Sequence, residues 1–238
     1  MSNYSYDDIG ENLRIITANI KESYDKYRSD GGKVEIMAVT KTVPPEVVNW
    51  VFDFGLDLLG ENRVQEYLSK KDSYLKDSGS GSLPRIHFIG HLQTNKVKYI
   101  IDDVDMIQSV DSLKLASEIN RLAAAHNKIM DILCEVNIGG EESKSGVSPD
   151  SLIPLVEQLA QLENIRVRGL MTIPPPSESD VFLGRMEELF HKVKDAHIER
   201  TEIEHLSMGM THDYVDAVKH GSTIVRIGTG IFGKRNYL

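Results

Sequence analysis

Eight short apolar runs alternate with amphipathic stretches along this 238-residue chain, and that alternation constrains the fold more than any other feature. The runs fall at 34–39, 56–59, 85–89, 106–110, 129–136, 165–170, 203–206 and 223–227. Several are apolar at consecutive positions, as strands buried on both faces are. The stretch 6–29 carries Ile9, Leu13, Ile16, Ile20, Tyr24 and Tyr27 at spacings of three and four, the period of one helical face. Pro44 and Pro45 open a second helix that Gly55 closes. Further helices are predicted at 60–71, 91–101, 111–125, 148–162, 181–197 and 211–219. Strict strand–helix alternation implies a parallel sheet covered by helices. Eight units of about 30 residues each imply an α/β fold of one domain over 1–238, a closed (β/α)8 TIM-type barrel with an extra amino-terminal helix. A doubly wound open sheet is the alternative, and the lack of G-x-G-x-x-G after the first run weakens it. Little chain follows the eighth run, so the first helix is expected to cover that flank. The segment DSGSGSLP at 77–84 reads as a surface loop.

Composition narrows the function. The net charge of -9 argues against electrostatic binding to nucleic acid or an anionic membrane. No segment approaches the length of a membrane span, and MSNYSYDDIGENL has neither the basic nor the apolar region of a signal peptide. A cytoplasmic protein is therefore expected. Cys134 is the only cysteine and sits in the apolar run DILCEV, the setting of a buried, inert thiol.

In such barrels the site lies at the carboxyl ends of the strands. Lys41 falls there, just after the apolar run that ends at Val39. A lysine held at the end of a core strand can lose solvent while keeping its position, and the neutral amine that burial favours attacks carbonyls. A surface lysine at the start of a loop is the simpler reading of that strand taken alone. The loops after the last two strands are SMGMT at 207–211 and GTG at 228–230. Barrels bind phosphate at these two positions, and here Ser207, Met208, Gly209, Gly228 and Thr229 bring hydroxyl donors and closely approachable backbone. Arg226 interrupts the apolar run Thr-Ile-Val-Arg-Ile-Gly. A guanidinium in a barrel wall needs a partner, which is either a glutamate such as Glu135 or Glu204 or a bound ligand. An amine, a phosphate cradle and a buried arginine suit one ligand with an aldehyde and a phosphate on a flat ring, and pyridoxal 5'-phosphate has that form.

The motifs AVTK at 38–41, GENRVQE at 60–66, HFIGHLQTNK at 87–96, VNIGGEESKSG at 136–146, GLMTIPP at 169–175, LSMGMTHDY at 206–214 and RIGTGIFG at 226–233 resemble those of the pyridoxal-phosphate homeostasis proteins. The resemblance spans nearly the whole chain. It implies a barrel like that of alanine racemase, of pyridoxal-phosphate fold type III. It further implies Lys41 as the Schiff-base lysine, a phosphate site from Ser207, Gly209, Gly228 and Thr229, Arg226 near the pyridine nitrogen, and Asn62 flanking the cofactor. His87, His91 and Asn95 lie in a strong block but receive no chemistry, and packing is the expected role of the histidines.

The implied function is to hold the cofactor and release or deliver it, with transient contact to apo-enzymes, as a monomer, without a metal and without catalytic residues. A racemase-type enzyme is the alternative. It is disfavoured because arginine only donates, leaving the ring nitrogen unprotonated and a weaker electron sink, and because racemases use a tyrosine from a second domain. A Schiff-base aldolase for sugar phosphates is more distant, since it would lack the motifs.

Overall fold

The eight runs form parallel strands that close in sequence order: β1 (Glu35–Val39), β2 (Leu58–Glu61), β3 (Arg85–Phe88), β4 (Met106–Val110), β5 (Met130–Val136), β6 (Ile165–Thr172), β7 (Thr201–Ser207) and β8 (Ile224–Ile227), with β8 paired back onto β1. The computed structural model describes residues 4–74, 83–141 and 143–233. Residues 77–82 of the expected surface loop lie outside the described residues. The helices are α1 (Tyr6–Tyr27), α2 (Pro45–Asp53), α3 (Val64–Lys70), α4 (Leu113–Ala125), α5 (Pro149–Leu159), α6 (Ser179–Asp195), α7 (Tyr214–Lys219) and the single turn α8 (Thr229–Phe232). Among the described residues, no helix is long and apolar enough to cross a membrane.

Successive residues of each strand face opposite sides of the wall. Met37 and Val39 of β1 join Leu58, Ile89 and Ile224 in the lumen, and Met106, Leu133 and Met171 form a second lumen cluster. Their neighbours Ala38, Leu59, Ile107, Ile132, Leu170 and Val225 belong to the larger outer core beneath the helices. Both faces are thus apolar, which is why the strands read as continuous runs. Cys134 faces the outer core, where burial pushes its thiol up to about 12, as an inert thiol requires.

The amino-terminal helix covers the flank left by the short carboxyl-terminal turn. Ile9, Leu13, Ile16 and Ile20 are buried there. Asn12 Nδ2 donates to Ile231 O at 3.0 Å, Asn19 Nδ2 to Tyr214 Oη at 2.8 Å and Ser23 Oγ to Val215 O at 2.8 Å. The Ser5 hydroxyl caps the helix by accepting the Asp8 N–H.

Ion pairs rim the amino ends of the strands. Arg85 spans Glu35 at 2.8 Å and Asp57 at 2.9 Å. Arg166 meets Asp131 at 2.7 Å, and Arg168 joins Glu202 and Glu204.

Several boundaries differ from the predicted ones; strands β6 and β7, for example, run on to Thr172 and Ser207. Strand β2 runs two residues later, so Glu61 lies in the wall instead of the following loop. The predicted helix at 91–101 is a 3₁₀ helix at Thr94–Tyr99. Helix α7 begins at Tyr214, because the Asp213 carboxylate accepts the Met210 N–H at 2.7 Å and holds the preceding residues in a turn.

Candidate functional site

A cavity of 230 Å³ opens at the carboxyl end of the barrel, lined by Lys41, Asn62, Arg226, Gly228 and Thr229 together with Val39, Ile89, Ile173, Met210, Thr211 and His212. Five of the eight sequence-predicted binding residues therefore meet around one space. The strand parity explains two of them: Lys41 follows lumen-facing Val39 by two residues, and Arg226 follows lumen-facing Ile224 by two.

Lys41 is half-buried. The wall behind it is held by polar contacts. The carboxylate of Glu61 accepts from the Thr40 hydroxyl at 2.7 Å and from the Tyr74 hydroxyl. Lys70 Nζ donates to Thr40 O at 3.1 Å and pairs with Glu66, which also accepts the Thr42 N–H. Burial raises the Glu61 carboxyl above its ordinary range. Glu61 thus braces the turn that presents Lys41, from outside the lumen.

Asn62 follows β2, and its Oδ1 is buried without a protein partner. The loop after β3 approaches it so closely that a Cβ on Gly90 would stand 2.1 Å from Asn62 O. Only glycine allows that approach.

Arg226 is 3 % exposed. Its Nη1 donates to Ser207 Oγ and its Nη2 to Thr172 O, each at 2.8 Å. No ion pair forms with either expected glutamate: Glu204 points outward to Arg168, and Glu135 acts on Arg226 only as a nearby charge. Burial brings the guanidinium down to about 10, so it stays charged at neutral pH.

The two glycine-containing loops are stitched together at the rim. Thr211 Oγ1 accepts from the Gly230 N–H at 3.0 Å and from the Thr229 hydroxyl at 3.2 Å. Ser207, Met208 and Gly209 stand apart from the cavity lining. The Ser207 hydroxyl is fully buried and committed to Gln108 and Arg226. Met208 packs in the outer core. Gly209 adopts φ +93, and a Cβ there would meet that of Ala217 at 2.5 Å. Its carbonyl accepts the Arg226 N–H at 2.9 Å.

The unassigned residues divide. His87 is buried with Nδ1 2.9 Å from Gln108 Nε2. His91 is exposed, 3.5 Å from Ser145 Oγ, and Asn95 is exposed. Sequence reasoning left Ile173 and His212 out of the site. Each lies in a loop directly after a strand, the position that would have flagged it, but neither residue type pointed to a ligand.

The family model for the alanine racemase N-terminal domain matches residues 12–236. A pyridoxal phosphate homeostasis protein of Aquifex aeolicus is 42% identical over 231 residues, covering 95% of this chain and 98% of that one. The chain belongs to the pyridoxal phosphate homeostasis protein family. Among solved structures, that of PipY from Synechococcus elongatus with PLP bound is 28% identical, with a TM-score of 0.80 over 94% of this chain and 100% of PipY. The alanine racemase of Clostridium difficile shares the barrel alone, at 18% identity and a TM-score of 0.72, and this chain covers 58% of it. The family name describes homeostasis of a cofactor and no catalysed reaction. The closed parallel barrel is the architecture that the resemblance to this family implied.

Proposed function

We propose that this chain binds pyridoxal 5'-phosphate at the barrel mouth, tethers it reversibly through Lys41 and releases it to enzymes that need it, without turnover of its own. The observation that carries this reading is the convergence of Lys41, Asn62, Arg226, Gly228 and Thr229 around one 230 Å³ cavity. The donor set suits the cofactor. A primary amine stands on one side, a donor-only guanidinium beneath, and a hydroxyl-bearing loop pair at the rim. The buried Asn62 Oδ1 awaits a donor that a ring hydroxyl would supply. The PLP-bound relative and the family's name support the same reading.

When bound, the cofactor supplies an aldehyde that an amine can hold covalently and give up by hydrolysis, together with a phosphate. Lys41 is the tether. Thr229, Gly228 and Thr211 hold the anion, with the loops pre-set by the Thr211 contacts. Arg226 faces the ring as a donor that keeps its own proton, so it favours binding over electron withdrawal from a carbanion. Val39 and Ile89, both buried, would keep water from the ring. In this reading the chain acts as a cytoplasmic monomer that meets apo-enzymes transiently.

The test is borohydride reduction of the protein mixed with pyridoxal 5'-phosphate, followed by peptide mass spectrometry. The expected adduct sits on Lys41 and is absent from Lys41→Ala. Equal labelling of both proteins overturns the tether.

A further inference from the structure

Beneath the cavity, a line of buried polar side chains crosses four strands of the barrel. Arg226 on β8 donates through Nη1 to Ser207 Oγ on β7 at 2.8 Å. Ser207 Oγ donates to Gln108 Oε1 on β4 at 2.7 Å. Gln108 Nε2 lies 2.9 Å from His87 Nδ1 on β3. Arg226 is 3 %, Ser207 0 %, Gln108 0 % and His87 5 % exposed, so water does not compete for these groups.

The chemistry of the four groups leaves the line one direction. A guanidinium has only donors, so Ser207 accepts from Arg226 and has one proton to pass on. That proton goes to the carbonyl oxygen of Gln108, which turns the amide nitrogen toward His87. An amide nitrogen only donates, so His87 Nδ1 accepts and the ring proton sits on Nε2. Reversing any link fails. A protonated Nδ1 would need the Gln108 carbonyl, the amide would then face Ser207, and the Ser207 proton would meet a guanidinium that accepts nothing. Burial, with the charges of Arg85 and His205, pushes His87 down to about 3, in keeping with a neutral ring. The second Arg226 anchor, Thr172 O at 2.8 Å, fixes the plane of the fork.

We propose that Gln108 is a positioning residue: the one-way line from Arg226 through Ser207 and Gln108 to His87 locks the guanidinium in the cavity floor and thereby sets the electronic environment of the cofactor ring above it. This rests on the proposed function for the ring, while the direction of the line stands on the protein alone. The line also gives His87 a task, as its terminal acceptor. The Ser207 hydroxyl, committed at both ends, serves the ring side of the site instead of the phosphate.

Two measurements test it. In the cofactor-free protein, ¹⁵N NMR of the His87 ring is expected to show the proton on Nε2 throughout pH 6–8, and Gln108→Glu is expected to move a proton onto Nδ1, since a carboxylate only accepts. A wild-type ring protonated at Nδ1 overturns the direction. In the loaded protein, Gln108→Leu and Ser207→Ala break the line at different links and are expected to act alike. Each weakens retention of pyridoxal 5'-phosphate about 3- to 10-fold, as loss of one buried hydrogen bond does. Each also shifts the pH midpoint of the cofactor's visible absorption band, while affinity for inorganic phosphate stays the same. Wild-type band, midpoint and affinity in both variants would reduce the line to polar filling of the lumen. Wild-type protein that takes up no cofactor would sink the functional reading instead, and the His87 tautomer, read without ligand, separates the two failures. The wild-type spectrum alone decides the direction if a variant does not fold.

Discussion

Thr211, after β7, accepts the hydroxyl of Thr229, after β8, at 3.2 Å, and the neighbouring Gly230 N–H at 3.0 Å reaches the same oxygen. One side chain thus fixes the spacing of both loops at the cavity rim. Replacing it by valine keeps the volume and removes the acceptor. Thr211→Val is expected to weaken pyridoxal 5'-phosphate about 3- to 10-fold, the scale of one or two neutral hydrogen bonds. Pyridoxal, which lacks the phosphate, is expected to bind as before. Equilibrium titrations of the two ligands check this, and equal losses for both would contradict it.

Gly209 combines φ +93 with a Cβ position 2.5 Å from Ala217 Cβ and 3.1 Å from Tyr214 Cα. Gly209→Ala is expected to cost roughly 2–4 kcal/mol, from a strained backbone together with overpacking against α7. Urea denaturation should show a lower midpoint at an unchanged slope. A midpoint like that of wild type would mean that the loop relaxes without cost.

Glu135 gives a pH dependence. Burial, with Asp111 adding repulsion and Arg226 opposing it, raises the carboxyl from 4.5 to about 7. Between these values the folded protein holds a proton that the unfolded chain has released. The contribution to stability is therefore fully present below pH 4.5 and is lost as pH rises through 7. Glu135→Gln is expected to flatten that segment of the wild-type stability curve. Denaturation midpoints of both proteins at pH 4.5, 5.5, 6.5 and 7.5 test it, and parallel curves would refute it.

Catalytic silence is a fourth expectation. Arg226 keeps its proton, and His212 is the one histidine among the described residues that line the cavity. His212 is exposed to solvent, where it does not face a sequestered reaction centre. The loaded protein should leave the α-protons of amino acids in deuterium oxide unexchanged by NMR. Exchange that disappears in His212→Ala would reverse the assignment.

The fold was legible because most strand positions meet apolar neighbours on either face, so eight runs stood out and their order forced the closure. Lys41 was legible from its place at a strand end, and Arg226 from its intrusion into an apolar run. Ser207, expected in the phosphate site, lies away from the cavity lining for a physical reason. Loop composition shows that a hydroxyl is present, but not that Gln108, 99 residues away, already holds it. Met208 turned to the outer core because it continues the alternation one residue past Ser207, the last residue of β7. Glu61 escaped because Gly60 and Glu61 end β2 with residues that no hydrophobic pattern includes. The 3₁₀ geometry at Thr94–Tyr99 escaped because Val97, Ile100 and Ile101 repeat at a spacing that serves either helix type.

The ring of ion pairs around Arg85, Arg166 and Arg168 lies at the opposite end of the barrel from Lys41. Folding and ligand chemistry are thus addressed through separate doors. A fluorophore attached at the exposed Glu202 would report the opening of the barrel floor and stay blind to what enters the mouth. Cofactor absorbance would report the reverse. Read together during one unfolding run, the two colours would time whether the barrel releases its cargo before it comes apart or only as it does.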